Sequence, residues 1–236
     1  MSYSVVYQDI GIKDYKETWC CQEKIFERLV TGKMNDNSKE LSGGINEPGV
    51  LIFVEHPHVY TLGKNGSEKN LLIDHIQLRA KNVRFYRTDR GGDITYHGPG
   101  QVVGYPIFDL ERLKSSLKEY IYRLEEAIIL TLSAYSLQGS RLKGATGVWL
   151  DADNQGRSRK ICAIGVKASR YVTMHGFAFN VNTDLEYFNY INPCGFTDKG
   201  VTSLEKEKGS VQDIGKVKEL LKDNLKIVFD LSWRLE

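Results

Sequence analysis

The chain carries four cysteines, and Cys194 stands where a thiol could do chemistry. Pro193 restricts the preceding backbone and Gly195 permits a sharp turn, so the sulfur can be presented to a cleft. A thiolate is a strong nucleophile, but a free thiol titrates near about 8.5 and needs a neighbouring cation to ionise at neutral pH. Lys160, Lys167, His97 and His175 are the available partners, and spacing does not choose among them. The competing reading of any free cysteine is a small buried hydrophobe. Cys162, inside the alternating run KICAIGVK, invites that reading, as do Cys20 and Cys21 within a helical stretch.

The second unusual segment is Arg90 to Gln101, RGGDITYHGPGQ, where four glycines and a proline are interleaved with Arg, Thr, Tyr, His and Gln. Its composition predicts neither a plain strand nor a plain helix. Glycine lets a ligand approach the backbone closely, so a glycine-rich loop beside Arg90 and His97 suits a cleft for an extended substrate. The plainer alternative is an elaborate turn. The loop lacks the GxGxxG spacing, and GxxxxGK[ST] occurs nowhere in the chain, so nothing argues for a nucleotide. His56 and His58 make two potential metal ligands without a third nearby, and with His75 they read as structural or surface residues.

These residues must be positioned by a folded core. Tyr15, Trp19, Ile25, Phe26 and Leu29 recur at helical spacing, with Asp14 and Glu17 as a capping pair, predicting an amphipathic helix to Val30. Residues 32–49 are polar and glycine-rich, and read as a flap or flexible loop. Val50 to Val54, Val83 to Thr88, Val102 to Phe108, Gly147 to Leu150, Ile161 to Val166 and Gly176 to Val181 read as strands. Ser116 and Glu119 announce a helix that ends before Gly139, and a last helix runs from about Val211 to Phe229. Strands mixed irregularly with helices predict an α+β fold, with a mixed sheet flanked by helices in one domain over residues 1–236.

Composition narrows the classes. With 41% hydrophobic residues over 236 positions, the chain can bury one sizeable core. Its 32 basic and 30 acidic residues are interspersed, for a net charge of +2, which makes nucleic acid a poor partner. The cysteine spacing fits neither a disulfide framework nor a zinc module. No leader-like segment opens the chain and no run approaches the roughly 20 apolar residues of a membrane span, so a cytoplasmic protein with no membrane partner is expected.

RGGDITYHGPGQ with VVGYPIFDL, RKICAIGVK, MHGFAFNV, INPCGF and GVTSL resembles the lipoyl(octanoyl) transferase family, in order and spacing, from Arg90 to Leu204. The resemblance implies a biotin/lipoate protein ligase-like fold and no cofactor or metal. It implies that Cys194 carries the acyl group as a thioester and that Lys160 favours its thiolate and shuttles protons. It further implies that the acyl chain is held by Arg90, Gly91, Gly92, Asp93, Ile94, Thr95, Tyr96 and His97, by Ala163, Ile164 and Gly165, and by Gly176, Phe177 and Ala178. Tyr96, Ile164 and Phe177 are the expected walls of the slot, and backbone N–H groups near Cys194 or in the Gly91–Gly92 turn are the candidate oxyanion donors. The implied donor is octanoyl-acyl carrier protein. The implied acceptor is a lysine of a lipoyl domain, in 2-oxoacid dehydrogenase complexes or the glycine cleavage H protein. Two features depart from the pattern: Cys162 replaces the alanine of some members, and the 32–49 loop is long.

Thioester exchange is nearly isoenergetic and amide formation runs downhill, so this chemistry requires no ATP. The alternatives are an ATP-dependent lipoate or biotin protein ligase, a noncatalytic module that binds lipoyl domains or carrier proteins, and a cysteine hydrolase.

Overall fold

The computed structural model describes residues 2–36, 47–154, 156–192 and 199–234. Its elements in chain order are β1 (Tyr3–Ile12), α1 (Tyr15–Asp36), β2 (Gly49–Glu55), β3 (Val59–Leu62), α2 (His75–Ala80), β4 (Arg84–Arg87), β5 (Ile94–His97), β6 (Gln101–Ile107) and α3 (Leu117–Ala134). Then follow β7 (Ser140–Leu142), β8 (Ala145–Leu150), β9 (Arg159–Ser169), β10 (Val172–Asn180), β11 (Gly200–Val201), α4 (Leu204–Lys208), α5 (Ile214–Phe229) and β12 (Leu231–Arg234).

Among the described residues the main sheet runs β12-β1-β2-β6-β10-β9-β8-β7, with β11 added beside β9. It is mixed: β1 is parallel to both β12 and β2, whereas β2, β6, β10, β9 and β8 pair antiparallel in turn. One face is covered by α3, α5 and α4, whose Leu124, Ile128, Leu221, Leu225 and Leu204 are fully buried against Leu51, Phe53, Phe177 and Phe179. The other face is covered by α1, where Leu29, Ile25 and Phe26 meet Ile52, Val54, Val103 and Ala178. The fold is therefore α+β, a mixed sheet between helices.

Helix starts follow the expected chemistry. Asp14 accepts from the N–H groups of Lys16 and Glu17, and the Ser116 hydroxyl accepts from Glu119 N–H. The last helix begins at Ile214, three residues later than the pattern suggested, because Asp213 caps it through Lys216 N–H.

Three expectations are corrected. Helix α1 continues through Gly32 to Asp36, so the expected loop starts later; its residues 37–46 lie outside the described residues. Cys20 and Cys21 are exposed, because the buried side of α1 is drawn by Tyr15, Thr18, Gln22 and Leu29, two of them polar. The Arg90 to Gln101 segment does contain a regular strand. β5 pairs antiparallel with β3, which pairs in parallel with β4, in a second small sheet. That sheet has its own core of Tyr60, Leu62, Ile94, Tyr96 and Ile191.

Candidate active site

A cavity of about 500 Å³ lies where the small sheet and the glycine-rich loop meet β9 and β10. Arg90, Gly91, Gly92, Asp93, Ile94, Thr95, His97, Ala163, Ile164, Gly165, Gly176, Phe177 and Ala178 all line it, and so does Lys160. Tyr96 does not: its fully buried ring stacks on Tyr187 at 4.9 Å, inside the small core. Cys194 lies outside the described residues. Described residues to either side of it are Asn192, whose N–H donates to Asn70 O at 2.8 Å, and, just past Lys199, Gly200, paired with Arg159 beside Lys160.

The floor is made by small residues on adjacent strands. Ala178 stands opposite Ala163, and Gly176 opposite Gly165. The loop sits down on this bare patch, with Gly91 N–H donating to Val166 O at 2.9 Å. A Cβ at Gly165 would come 2.8 Å from the Gly91 carbonyl oxygen, so glycine is what lets the two backbones approach. Because Gly91 N–H is bonded to Val166, it is not available as an oxyanion donor while the loop holds this shape.

Arg90 is engaged both by β3 and by its own loop. Its guanidinium donates to Thr61 O at 2.6 Å, Thr61 Oγ1 at 2.9 Å, Asp93 O at 2.8 Å and Gly91 O at 3.0 Å. Buried at the end of the small sheet, it clamps the turn that shapes the cavity. His97 continues the network. Its Nδ1 donates to Gln101 Oε1 at 2.8 Å, and its Nε2 accepts from the Thr61 hydroxyl at 3.3 Å. Burial, with His56 and Arg90 nearby, holds its pKa well below the ordinary value, so it is neutral and this tautomer satisfies both partners. Gln101 Nε2 in turn donates to Asn180 Oδ1, and Asn180 Nδ2 to Thr202 O, whose own N–H donates to Lys160 O. One chain of hydrogen bonds thus links the loop to the strand that carries Lys160.

The four candidate cations now separate. His97 is neutral, and Lys167 and His175 share Asp89, at 2.5 Å and 2.7 Å. Hydrogen bonding to His175, then Lys167, holds the Asp89 carboxyl far below the usual range, and burial pushes His175 down. Sequence reasoning missed Asp89; the signal, an acid directly before Arg90, has no meaning until β10 is placed beside it. Lys167 is seven residues along β9 from Lys160, roughly 23 Å in an extended strand. Lys160 lines the cavity, its Nζ over the Trp149 ring, 4.7 Å from the centroid. Cys162, close to it in sequence, is fully buried in the helix-side core, and that burial pushes its thiol far up. His56 is bonded to Lys13 O and Tyr105 OH and pushed down to about 4 by burial, while His58 bonds Tyr96 OH, so the two do not share a site.

Residues 14–226 match the lipoyl protein ligase A/B catalytic domain family. An octanoyltransferase of Parabacteroides distasonis is 55% identical over 227 residues, covering 94% of this chain and 96% of that relative. The chain belongs to the octanoyltransferase family. A second octanoyltransferase, from Christiangramia forsetii, is 52% identical over 237 residues, with 100% of both chains covered. At the level of fold, the octanoyltransferase chain matches the bipartite lipoate protein ligase of Thermoplasma acidophilum with a TM-score of 0.70 at 12% identity, covering 99% of this chain and 87% of that one. The mixed sheet and its helices are therefore the lipoate protein ligase fold. Among the described residues, no helix is long and apolar enough to cross a membrane.

Proposed function

We propose that this octanoyltransferase works through a Cys194 thioester, drawing the acyl group from octanoyl-acyl carrier protein and passing it to a lysine of a lipoyl domain. Octanoyl transfer in lipoate biosynthesis is the activity of the family to which the chain belongs. The observation that carries the mechanism is the cavity. It gathers the loop from Arg90, the Ala163–Gly165 stretch and the Gly176–Ala178 stretch around a floor without large side chains, with Lys160 on its wall.

In the first half-reaction the Cys194 sulfur attacks the thioester carbonyl, and the carrier thiol leaves and takes up a proton. In the second, the acceptor lysine amine attacks the acyl-enzyme, its proton passes to a base and the Cys194 thiolate is released. Lys160 serves both halves, as the cation that favours the thiolate and, once neutral, as the base for the incoming amine. His97 and Arg90 act by shape, since their polar groups are engaged within the protein. The acceptor is a lipoyl domain of 2-oxoacid dehydrogenase complexes or of the glycine cleavage H protein. The chain acts over residues 1–236 as one catalytic domain in the cytoplasm.

Incubation with octanoyl-carrier protein in the absence of ATP, followed by intact mass, tests this. The expected result is an octanoyl adduct that is absent from Cys194→Ser, retained in Cys162→Ser, slowed in Lys160→Ala, and discharged by a lipoyl domain. An adduct on Cys162, or modification of the lipoyl domain only with ATP, overturns it.

A further inference from the structure

We infer that Trp149 is a positioning residue for the reaction, holding the Lys160 ammonium on its indole face. The inference rests on the role assigned to Lys160 above. Trp149 is the cross-strand partner of Lys160 between β8 and β9, and Lys160 Nζ lies 4.7 Å from its ring centroid. The indole is itself fixed: it is 2% exposed, and its Nε1–H donates to Ala145 O at 2.9 Å.

The strands are built around this contact. Between the pairs Val148–Cys162 and Trp149–Lys160 the register slips by one, leaving Ile161 as an extra residue on β9. A bulge of this kind re-aims the side chains beside it. On β8, one residue before Val148, Gly147 takes a φ of +119°, and a Cβ there would lie 2.5 Å from Cys162 O and 3.5 Å from Lys160 Cε. The lysine backbone is held on the other side by β11, through Val201 and Thr202 N–H.

A ring quadrupole attracts an ammonium and not a neutral amine, so the indole face favours the charged form of Lys160. When Lys160 gives up its proton the attraction vanishes, which favours reprotonation after each turnover. Gly144 and the first two residues of β8, Ala145 and Thr146, line the cavity together with Lys160, and Trp149 stands behind that wall on the same strand, in contact with the lysine.

The test weakens the ring without emptying its site. In a Trp19→Phe, Trp233→Phe background, Trp149 is the one tryptophan, and it is replaced by mono-, di- and trifluorotryptophan; Trp149→Phe and Trp149→Leu are made alongside. Single-turnover acyl-enzyme formation is followed by intact mass from pH 6 to 10. We expect the alkaline limb, where the cation is lost, to move to lower pH stepwise with fluorination. Trp149→Leu should move it by about one pH unit, and Trp149→Phe less. A merely structural role would lower melting temperature without moving this limb. If Lys160→Ala abolishes the limb while fluorination leaves it in place, the role of Trp149 falls and that of Lys160 stands. If Lys160→Ala keeps the limb, the assignment of Lys160 falls and takes this one with it.

Discussion

Replacing Ala163 by valine adds two methyl groups at the cavity floor. Ala163 faces the cavity and is only half-buried, and its partner Ala178 is itself small, so the new carbons enter space an acyl chain would occupy. A β-branched residue suits the middle of β9, so the strand persists. If the methyls displace two acyl methylenes, the loss is about 0.8 kcal/mol each, or about 1.6 kcal/mol for octanoyl. That corresponds to roughly a fifteenfold fall in kcat/KM for acyl-enzyme formation. A hexanoyl chain, shorter by that amount, should be almost unaffected. Competition between hexanoyl- and octanoyl-carrier protein in one tube, read by intact mass, measures the ratio directly. An unchanged ratio in a variant that keeps its melting temperature would refute the placement of the acyl chain against Ala163.

Gly165→Ala should push on the Gly91 carbonyl and the Arg90 guanidinium, 2.8 Å and 3.2 Å from the new Cβ, and raise KM for the acyl donor several-fold while the circular dichroism spectrum is retained. Asp89→Asn should remove an acid-side stability dependence. The folded Asp89 carboxyl is depressed, so its contribution is complete above the unfolded value near 4 and lost as pH falls below it. Urea midpoints at pH 6 and pH 3 should therefore lie closer together in the variant than in the parent. Alkylation of the native protein with iodoacetamide should label Cys20 and Cys21 readily, and Cys162 only after unfolding; rapid native labelling of Cys162 would contradict its burial.

What was legible in the sequence was what local rules decide. Asp14, Ser116 and the continuous apolar run Val50 to Val54 mark their elements because capping and burial on both faces act within a few residues. β1 was not read, since its burial alternates only at Tyr3 and Val5 and its pairing depends on β12 at the far end of the chain. β5 was hidden because what stabilises Ile94 and Tyr96 is a set of aromatic rings, among them Tyr187 and Phe188, nearly a hundred residues away. The same limit applied to the site. Spacing left four cations open, and the resemblance singled out Lys160 before Asp89 could be seen to occupy two of the others. The exposed Cys20 and Cys21 misled because helical position alone does not say which side of α1 meets the sheet.

The parallel pairing of Tyr3 with Leu231 has a consequence for how the protein is made. At a synthesis rate of about 5–20 residues per second, the outer strand of that pair leaves the ribosome roughly ten to fifty seconds after the inner one. Until then the outer edge of β1 presents unpaired backbone donors and acceptors, the kind of template on which nascent chains aggregate. Once made, Leu231–Arg234 close that edge, four residues completing a sheet whose other strands were synthesised well before them.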